Sequence, residues 1–311
     1  MPAGAAARAE TSRASAVPCD LSVDRLQQGF EQQLAATAAR VCGHDESCPQ
    51  LAAAMRYSLL APGKRVRPML ALLTAVDLGA DPGSLMPFAV ALEMVHCASL
   101  MLDDLPCMDN ATQRRGRPAA HVKFGEAVTT LAAVGLLGHA SGELAHAERM
   151  ECALRTELIA QLSAAVGTAG LVSGQSRDLG ERRDEISDGQ LARIHRQKTA
   201  VLFELAVVGA GLHAGLGELR LERLKRFARQ VGMAFQTADD LLDCKRLAHD
   251  SGKDSDCDRA KAGSVHRLGA PALRARLDDE LAAAEREMQR LEMRGRGLAD
   301  YVRALFQRHL D

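Results

Sequence analysis

Leu92-Glu93-Met94-Val95-His96-Cys97-Ala98-Ser99-Leu100-Met101-Leu102-Asp103-Asp104 is an apolar run that ends in two adjacent carboxylates. It reads as a core helix, and Pro106 disturbs its continuation. Asp109 can therefore fold back toward Asp103. A second core-like stretch, Val231-Gly232-Met233-Ala234-Phe235-Gln236, leads in the same way to Asp239, Asp240 and Asp243. Asp239 and Asp243 are four apart and share one helix face. Outward from these runs, apolar residues keep recurring at spacings of three and four. Leu51-Met55-Leu59 and Leu221-Leu224-Phe227-Ala228-Val231 are examples.

No alternating strand is evident. Breaks fall at Gly43-His44-Asp45, Asp81-Pro82-Gly83, Gly116-Arg117-Pro118, Gly180 to Asp188, Gly215 to Gly217 and Ser251-Gly252. Ser84 is a candidate N-cap after the second of these. The segment 272–310 looks like two charged amphipathic helices parted near Arg294-Gly295-Arg296-Gly297. The expected fold is all-α: a single-domain bundle of about ten or more helices over residues 21–311, after a disordered tail at 1–20.

Composition agrees. Apolar residues make up 47% of the 311, aromatics only 3%, and Trp is absent, a balance that favours helix over strand. Lysine plus arginine number 39 against 40 acidic residues, so no basic excess points to nucleic acid. Eight cysteines form no CxxC pair, as expected of reduced thiols in a cytoplasmic protein. No uninterrupted apolar run of about 18 residues suggests a membrane span.

Adjacent carboxylates at the C-terminal end of an apolar helix repel each other and the negative end of the helix dipole. A hard dication with oxygen ligands, Mg2+, offsets that cost. Two such clusters facing each other could hold two or three magnesium ions and a diphosphate. Taken alone, either cluster could equally be a solvated helix end. A diphosphate also needs cations from the protein. Gly63-Lys64-Arg65-Val66-Arg67-Pro68 offers three in four positions, and Lys64 and Arg67 can share a face. Arg114 and Arg115 follow the first acidic cluster. Lys198 and Thr199 open another apolar stretch, and Lys253 follows the second cluster. His96, by residue type, reads as a core histidine.

As a set, these segments resemble the trans-isoprenyl diphosphate synthases, and most of all the bacterial geranylgeranyl diphosphate synthases of carotenoid pathways. The strings are GKRVRP at 63–68, EMVHCASLMLDDLPCMD at 93–109, RRGRPAAH at 114–121, GLVSGQSRDL at 170–179, QKTAVLF at 197–203, MAFQTADDLLD at 233–243 and GKD at 252–254. The resemblance implies that Asp103 and Asp109 bind two magnesium ions on the allylic diphosphate, with Asp104 assisting. Asp239 would bind a third, supported by Asp240 and Asp243. Arg114, Lys198 and Lys253 would hold the allylic diphosphate (dimethylallyl, geranyl or farnesyl). Lys64, Arg67, His96 and Arg115 would hold isopentenyl diphosphate. Thr199 and Gln236 would face the developing carbocation. The family also commonly forms homodimers through helices near the first aspartate motif.

Ser99 and Ala98 stand four and five positions before Asp103. In the family, a Tyr or Phe there stops growth at fifteen carbons. Both residues are small here, so a twenty-carbon product is expected. Met94 and Met101 are candidates for a deeper floor. One segment departs from the pattern. After Asp254 the family's Gly-Lys-Ser/Asn-Thr becomes Ala260-Lys261-Ala262-Gly263, in what resembles the active-site lid. A farnesyl diphosphate synthase, a non-catalytic subunit of a heteromeric synthase and a terpene cyclase are the rivals. The small Ala98, the intact motifs and the second set of basic residues weigh against them in turn.

Overall fold

A computed structural model describes residues 22–42, 48–180, 187–249 and 263–310. The expected tail at 1–20, the break at 43–45, Lys253 and residues 254–262 of the altered segment lie outside the described residues. Asp243 lies on a described helix, but its side chain does not.

The chain runs α1 (Val23–Cys42), α2 (Pro49–Leu59), α3 (Val66–Leu78), α4 (Pro82–Asp103), α5 (Ala120–Phe124), α6 (Glu126–Ala145), α7 (Cys152–Val166), α8 (Leu171–Gly180) and α9 (Asp188–His195). A π-turn, Arg196–Ala200, leads into α10 (Val201–His213) and α11 (Glu218–His249). Two last helices follow: α12 (Gly263–Gln289), broken at Gly269 with φ 67°, and α13 (Gly297–Leu310). The expected all-α architecture is what forms, and the breaks at 215–217 and 294–297 separate helices as the sequence suggests, while residues 181–186 of the break at 180–188 and the break at 251–252 lie outside the described residues.

Two local expectations are corrected. The N-cap of α4 is Asp81, not Ser84: its carboxylate accepts from the amides of Gly83 and Ser84 at 3.0 and 3.1 Å. A carboxylate serves better than a hydroxyl at the positive end of the helix dipole, and Pro82 is preset for the first turn. Strand is also present, as a hairpin of two residues a side. Gln113 pairs with Pro118 and Arg114 with Arg117, antiparallel. Its turn residues, Arg115 and Gly116, have φ of 54° and 71°, the twist that a two-residue hairpin requires. A two-residue strand has no alternation to read.

α3 and α4 carry the core. Leu70, Leu72, Leu85, Phe88 and Leu92 are fully buried, each worth about 1.5–3 kcal/mol relative to exposure. α4 is long and apolar enough to cross a membrane by length and composition, but two-thirds of its apolar window is buried inside the bundle. α13 is anchored to α3 through Asp77, which accepts from the amides of Gly297 and Leu298 at 3.2 and 2.8 Å. Burial raises the Asp77 pKa even though these two amides favour its charged form.

Candidate functional site

The first acidic cluster is shaped by the end of α4. Asp104 caps the helix, and the chain then doubles back so that the Asp109 amide donates to the Asp103 carbonyl at 2.9 Å. The turn is closed by Asn110, whose φ of 50° suits its short amide side chain. Asp103 and Asp109 thus stand at either end of one backbone hydrogen bond, as Pro106 suggested. Burial pushes the Asp103 carboxyl up to about 6; the neighbouring Asp109 and Asp104 add to that, and Lys198 and Arg114 oppose it.

Asp104 takes a different part. It is buried, and its carboxylate is gripped through both oxygens by the Nε and Nη2 of Arg114. The hairpin turn places Arg114 there. It also sends Arg115 back over the basic turn, where Nη1 reaches the Ala61 carbonyl at 3.4 Å. Gly63 leaves the room: a Cβ at that position would lie 2.6 Å from Arg115 Nη1. The two basic segments therefore meet.

Of the three cations on the basic turn, two are buried and one is exposed. Arg65 adopts the left-handed conformation, φ 47° and ψ 37°, and caps α3. Its guanidinium enters the protein and binds Glu31 and Glu93. Lys64 is exposed, whereas Arg67 is buried, stacks on the Phe203 ring at 5.0 Å, and has an Nε without a hydrogen-bond partner. Burial pulls its pKa down to about 10; Glu93 and Asp239 counter this and Arg115 adds to it. His96 is held neutral, first by burial and then by Arg67 and Arg115. Arg67, His96 and Arg115 thus come close together, while Lys64 stands exposed on the turn that leads to Arg67.

The second cluster is reached through the π-turn. Lys198 Nζ donates to Asp178 Oδ2 at 2.7 Å. Thr199 Oγ1 donates to Gln236 Oε1 at 2.8 Å, and Gln236 Nε2 donates to Asp240 Oδ1 at 3.0 Å. Two glycines let these elements approach. A Cβ on Gly174 would lie 2.6 Å from the Lys198 amide nitrogen, and one on Gly232 2.7 Å from Ala200. Gln175 of α8 also reaches Met108 in the first acidic loop, at 3.6 Å.

These contacts bring the two clusters to one space. Lys198 is the largest favourable charge on Asp103, and its neighbour Thr199 begins the relay to Asp240. From the other side, Asp239 supports the charge of Arg67. Ala98 is fully buried, and Ser99 is half-buried with its hydroxyl on the His96 carbonyl at 2.9 Å. A small cavity of about 40 Å³ lies between α2, α4 and the hairpin, lined by Cys97, Met101, Asp104, Arg114 and Arg115. A wider groove of about 730 Å³, between α11, α12 and α13, holds none of these groups.

Asp178, Glu93 and Gly174 are components that motif-by-motif analysis left without a role. Asp178 and Gly174 lie within the string 170–179 and Glu93 opens the string 93–109. The signal was their place inside segments already singled out.

The residues fit a hard dication shared with a ligand. The donors at hand are carboxylate oxygens, and Asp103 is short of positive charge. Among the described residues no three acidic, histidine or cysteine side chains close a metal site alone. Two carboxylates are already committed, Asp104 to Arg114 and Asp240 to Gln236. A magnesium ion that keeps waters and takes oxygens from a diphosphate matches that arrangement.

Comparison with known proteins gives this geometry a family context. The model of the polyprenyl synthetase family matches residues 48–289. The geranylgeranyl diphosphate synthase of Pantoea ananas is 41% identical over 260 residues, 83% of this chain and 85% of that protein. The farnesyl diphosphate synthase of Geobacillus stearothermophilus is 36% identical over 283 residues, 90% of this chain and 95% of that protein. The geranyltransferase of Helicobacter pylori, in complex with magnesium and isoprenyl diphosphate, superposes with a TM-score of 0.75 at 26% identity, covering 95% of this chain and 98% of that one.

Proposed function

Because the chain belongs to the polyprenyl synthetase family and is a prenyltransferase of the geranylgeranyl and farnesyl diphosphate synthase type, we propose that it condenses isopentenyl diphosphate with an allylic diphosphate to give all-trans geranylgeranyl diphosphate and free diphosphate. One observation carries the proposal: Lys198 acts on Asp103 while the adjacent Thr199, through Gln236, reaches Asp240. The two acidic clusters so joined are poised to share one diphosphate.

In this scheme Asp103, Asp109 and Asp239 hold magnesium, with Asp104, Asp240 and Asp243 in support. Bound magnesium would draw electron density onto the allylic diphosphate and ease departure of that group. Arg114 and Lys198, with Lys253, hold the same diphosphate from the protein side. Their own partners, Asp104 and Asp178, fix where the two cations point. Charge that develops as the allylic C–O bond breaks meets groups already oriented for it, so little reorganisation is needed.

Lys64, Arg67, His96 and Arg115 hold isopentenyl diphosphate, whose double bond attacks the allylic carbon. Holding both substrates in place makes the bond-forming step effectively unimolecular. Thr199 donates its hydroxyl proton to Gln236, and in this scheme its oxygen would offer lone pairs to the nascent cation. Proton loss to the departing diphosphate completes the product. Small side chains at Ala98 and Ser99 leave room for a twenty-carbon chain.

A second copy of the chain fits α6. Ala127, Leu131, Val134 and Gly138 make an exposed apolar stripe along that helix, with Leu131 61% and Val134 57% exposed. Such a stripe on one helix face suits a homodimer contact. Light scattering should give twice the chain mass, falling toward the monomer in Leu131→Glu. Among the described residues Cys42, Cys48, Cys97, Cys107 and Cys152 are free thiols, which suits a cytoplasmic setting.

Incubation with Mg2+, isopentenyl diphosphate and each allylic diphosphate in turn tests the function. Released diphosphate with a linear twenty-carbon product supports it. Growth that stops at fifteen carbons would favour the farnesyl reading, and absence of condensation a non-catalytic subunit.

A further inference from the structure

We propose that Glu93 is a positioning residue for the isopentenyl diphosphate site, fixing the basic turn through Arg65 and the orientation of Arg67 from inside the bundle. The inference rests on the assignment of Lys64, Arg67, His96 and Arg115 to that substrate.

Glu93 lies on α4, three residues before His96, and is 1% exposed. Its Oε1 accepts from Arg65 Nη1 at 2.6 Å, and its Oε2 is buried without a hydrogen-bond partner. A lone buried carboxylate is costly, so something local must favour its charge. Arg65 is the direct partner. That arginine holds a left-handed backbone, which strains a non-glycine residue and persists only when its surroundings enforce it. The enforcement is visible: Glu93 on one side, Glu31 at 2.8 and 3.4 Å on the other, and the Ala61 carbonyl at 2.9 Å. Burial opposes the Arg65 charge, yet these acidic partners raise its pKa overall.

The consequence reaches the two flanking cations. A left-handed residue between Lys64 and Val66 reverses the chain, leaving Lys64 exposed while Arg67 is carried into the buried first turn of α3. Arg67 depends on Glu93 a second time. Of the charges around its buried guanidinium, Glu93 favours protonation most, ahead of Asp239. Glu93 therefore both shapes the turn and offsets the crowding of Arg65, Arg67 and Arg115 before a diphosphate arrives.

The sign of the effect separates positioning from simple attraction. Removing a negative charge beside an anion site should tighten diphosphate binding if electrostatics alone ruled. Loss of the Arg65 anchor should weaken it. Glu93→Gln is expected to raise KM for isopentenyl diphosphate about tenfold or more, with KM for the allylic diphosphate changed less than about threefold. Glu93→Asp should fall between the two.

Glu31→Gln provides a second route should Glu93→Gln fold poorly, because Glu31 is half exposed and holds the other side of Arg65. It should raise the same KM about threefold. Lys64→Ala serves as the control on the site. If Lys64→Ala raises KM for isopentenyl diphosphate while Glu93→Gln and Glu31→Gln leave it unchanged or lower it, the positioning role is overturned and the site stands. If Lys64→Ala leaves it unchanged too, the site assignment fails and takes the inference with it.

Discussion

The Asp109 amide donates to the Asp103 carbonyl at 2.9 Å, so the chain that leaves α4 returns at once to the carboxylate on which the helix ends. This reversal turns a linear motif into a pair of acidic groups at one mouth. Burial and the neighbouring carboxylates leave Asp103 with a pKa raised to about 6 against the pull of Lys198 and Arg114, so a dication there would favour its charged form. On this basis Asp103→Asn should lower kcat by roughly 10²–10³ at saturating Mg2+, and Asp239→Asn by a similar factor. The double variant should lose less than the product of the two, since both act on one metal-bound diphosphate. A kcat within threefold of the parent in either single variant would contradict the assignment.

Asp178 is expected to matter without touching a reacting atom. It anchors Lys198 Nζ at 2.7 Å and is half-buried on α8. Asp178→Asn should leave the lysine charged but loosely held. KM for the allylic diphosphate should rise about tenfold, from a misplaced charge-assisted contact. KM for isopentenyl diphosphate should stay nearly constant. Equal increases in both would point to general loosening of the π-turn instead.

Product length should respond to Ala98. The residue is fully buried, so Ala98→Tyr must displace neighbours, at a stability cost of about 1–3 kcal/mol. Ser99→Tyr, at the half-buried neighbouring position, should be milder. Chromatography of the products should show twenty-carbon chains replaced by fifteen-carbon chains in both variants. An unchanged profile in a variant that still melts cooperatively would remove these residues from the floor.

His96 should impose a pH dependence on stability. Burial, then Arg67 and Arg115, lower its folded pKa well below the ordinary 6.5. Below pH 6.5 the unfolded chain therefore binds a proton that the folded chain refuses. The stability present above that pH is lost as pH falls toward the folded value, at up to about 1.4 kcal/mol per pH unit. Denaturation midpoints at pH 7.5 and 5.5 should drop further for the parent than for His96→Gln. Identical drops would show that His96 carries no such penalty.

Much of the architecture was legible because its signals are strong and local. Apolar spacing gave the helices, and adjacent aspartates at the ends of two core runs marked the site. What escaped the sequence depends on partners far along the chain. Arg65 reads as one more cation beside Lys64 and Arg67, until Glu31 and Glu93 pull it inward. Asp104 reads only as a carboxylate assisting Asp103, and its contact with Arg114 exists only once the hairpin forms. That hairpin is too short for a periodic pattern, and its turn is set by positive φ at Arg115 and Gly116. Asp178 lies inside the string 170–179, but its role exists only once α8 packs on the π-turn through Gly174.

The central claim is that the two acidic clusters bind a prenyl diphosphate together through magnesium. Calorimetric titration with a non-ionisable thio analogue of farnesyl diphosphate, with and without Mg2+, tests it most directly. The account predicts that Mg2+ tightens binding at least tenfold in the parent, and that this gain disappears in both Asp103→Asn and Asp239→Asn. Equally tight binding without the metal, or a full metal-dependent gain in either variant, would contradict it.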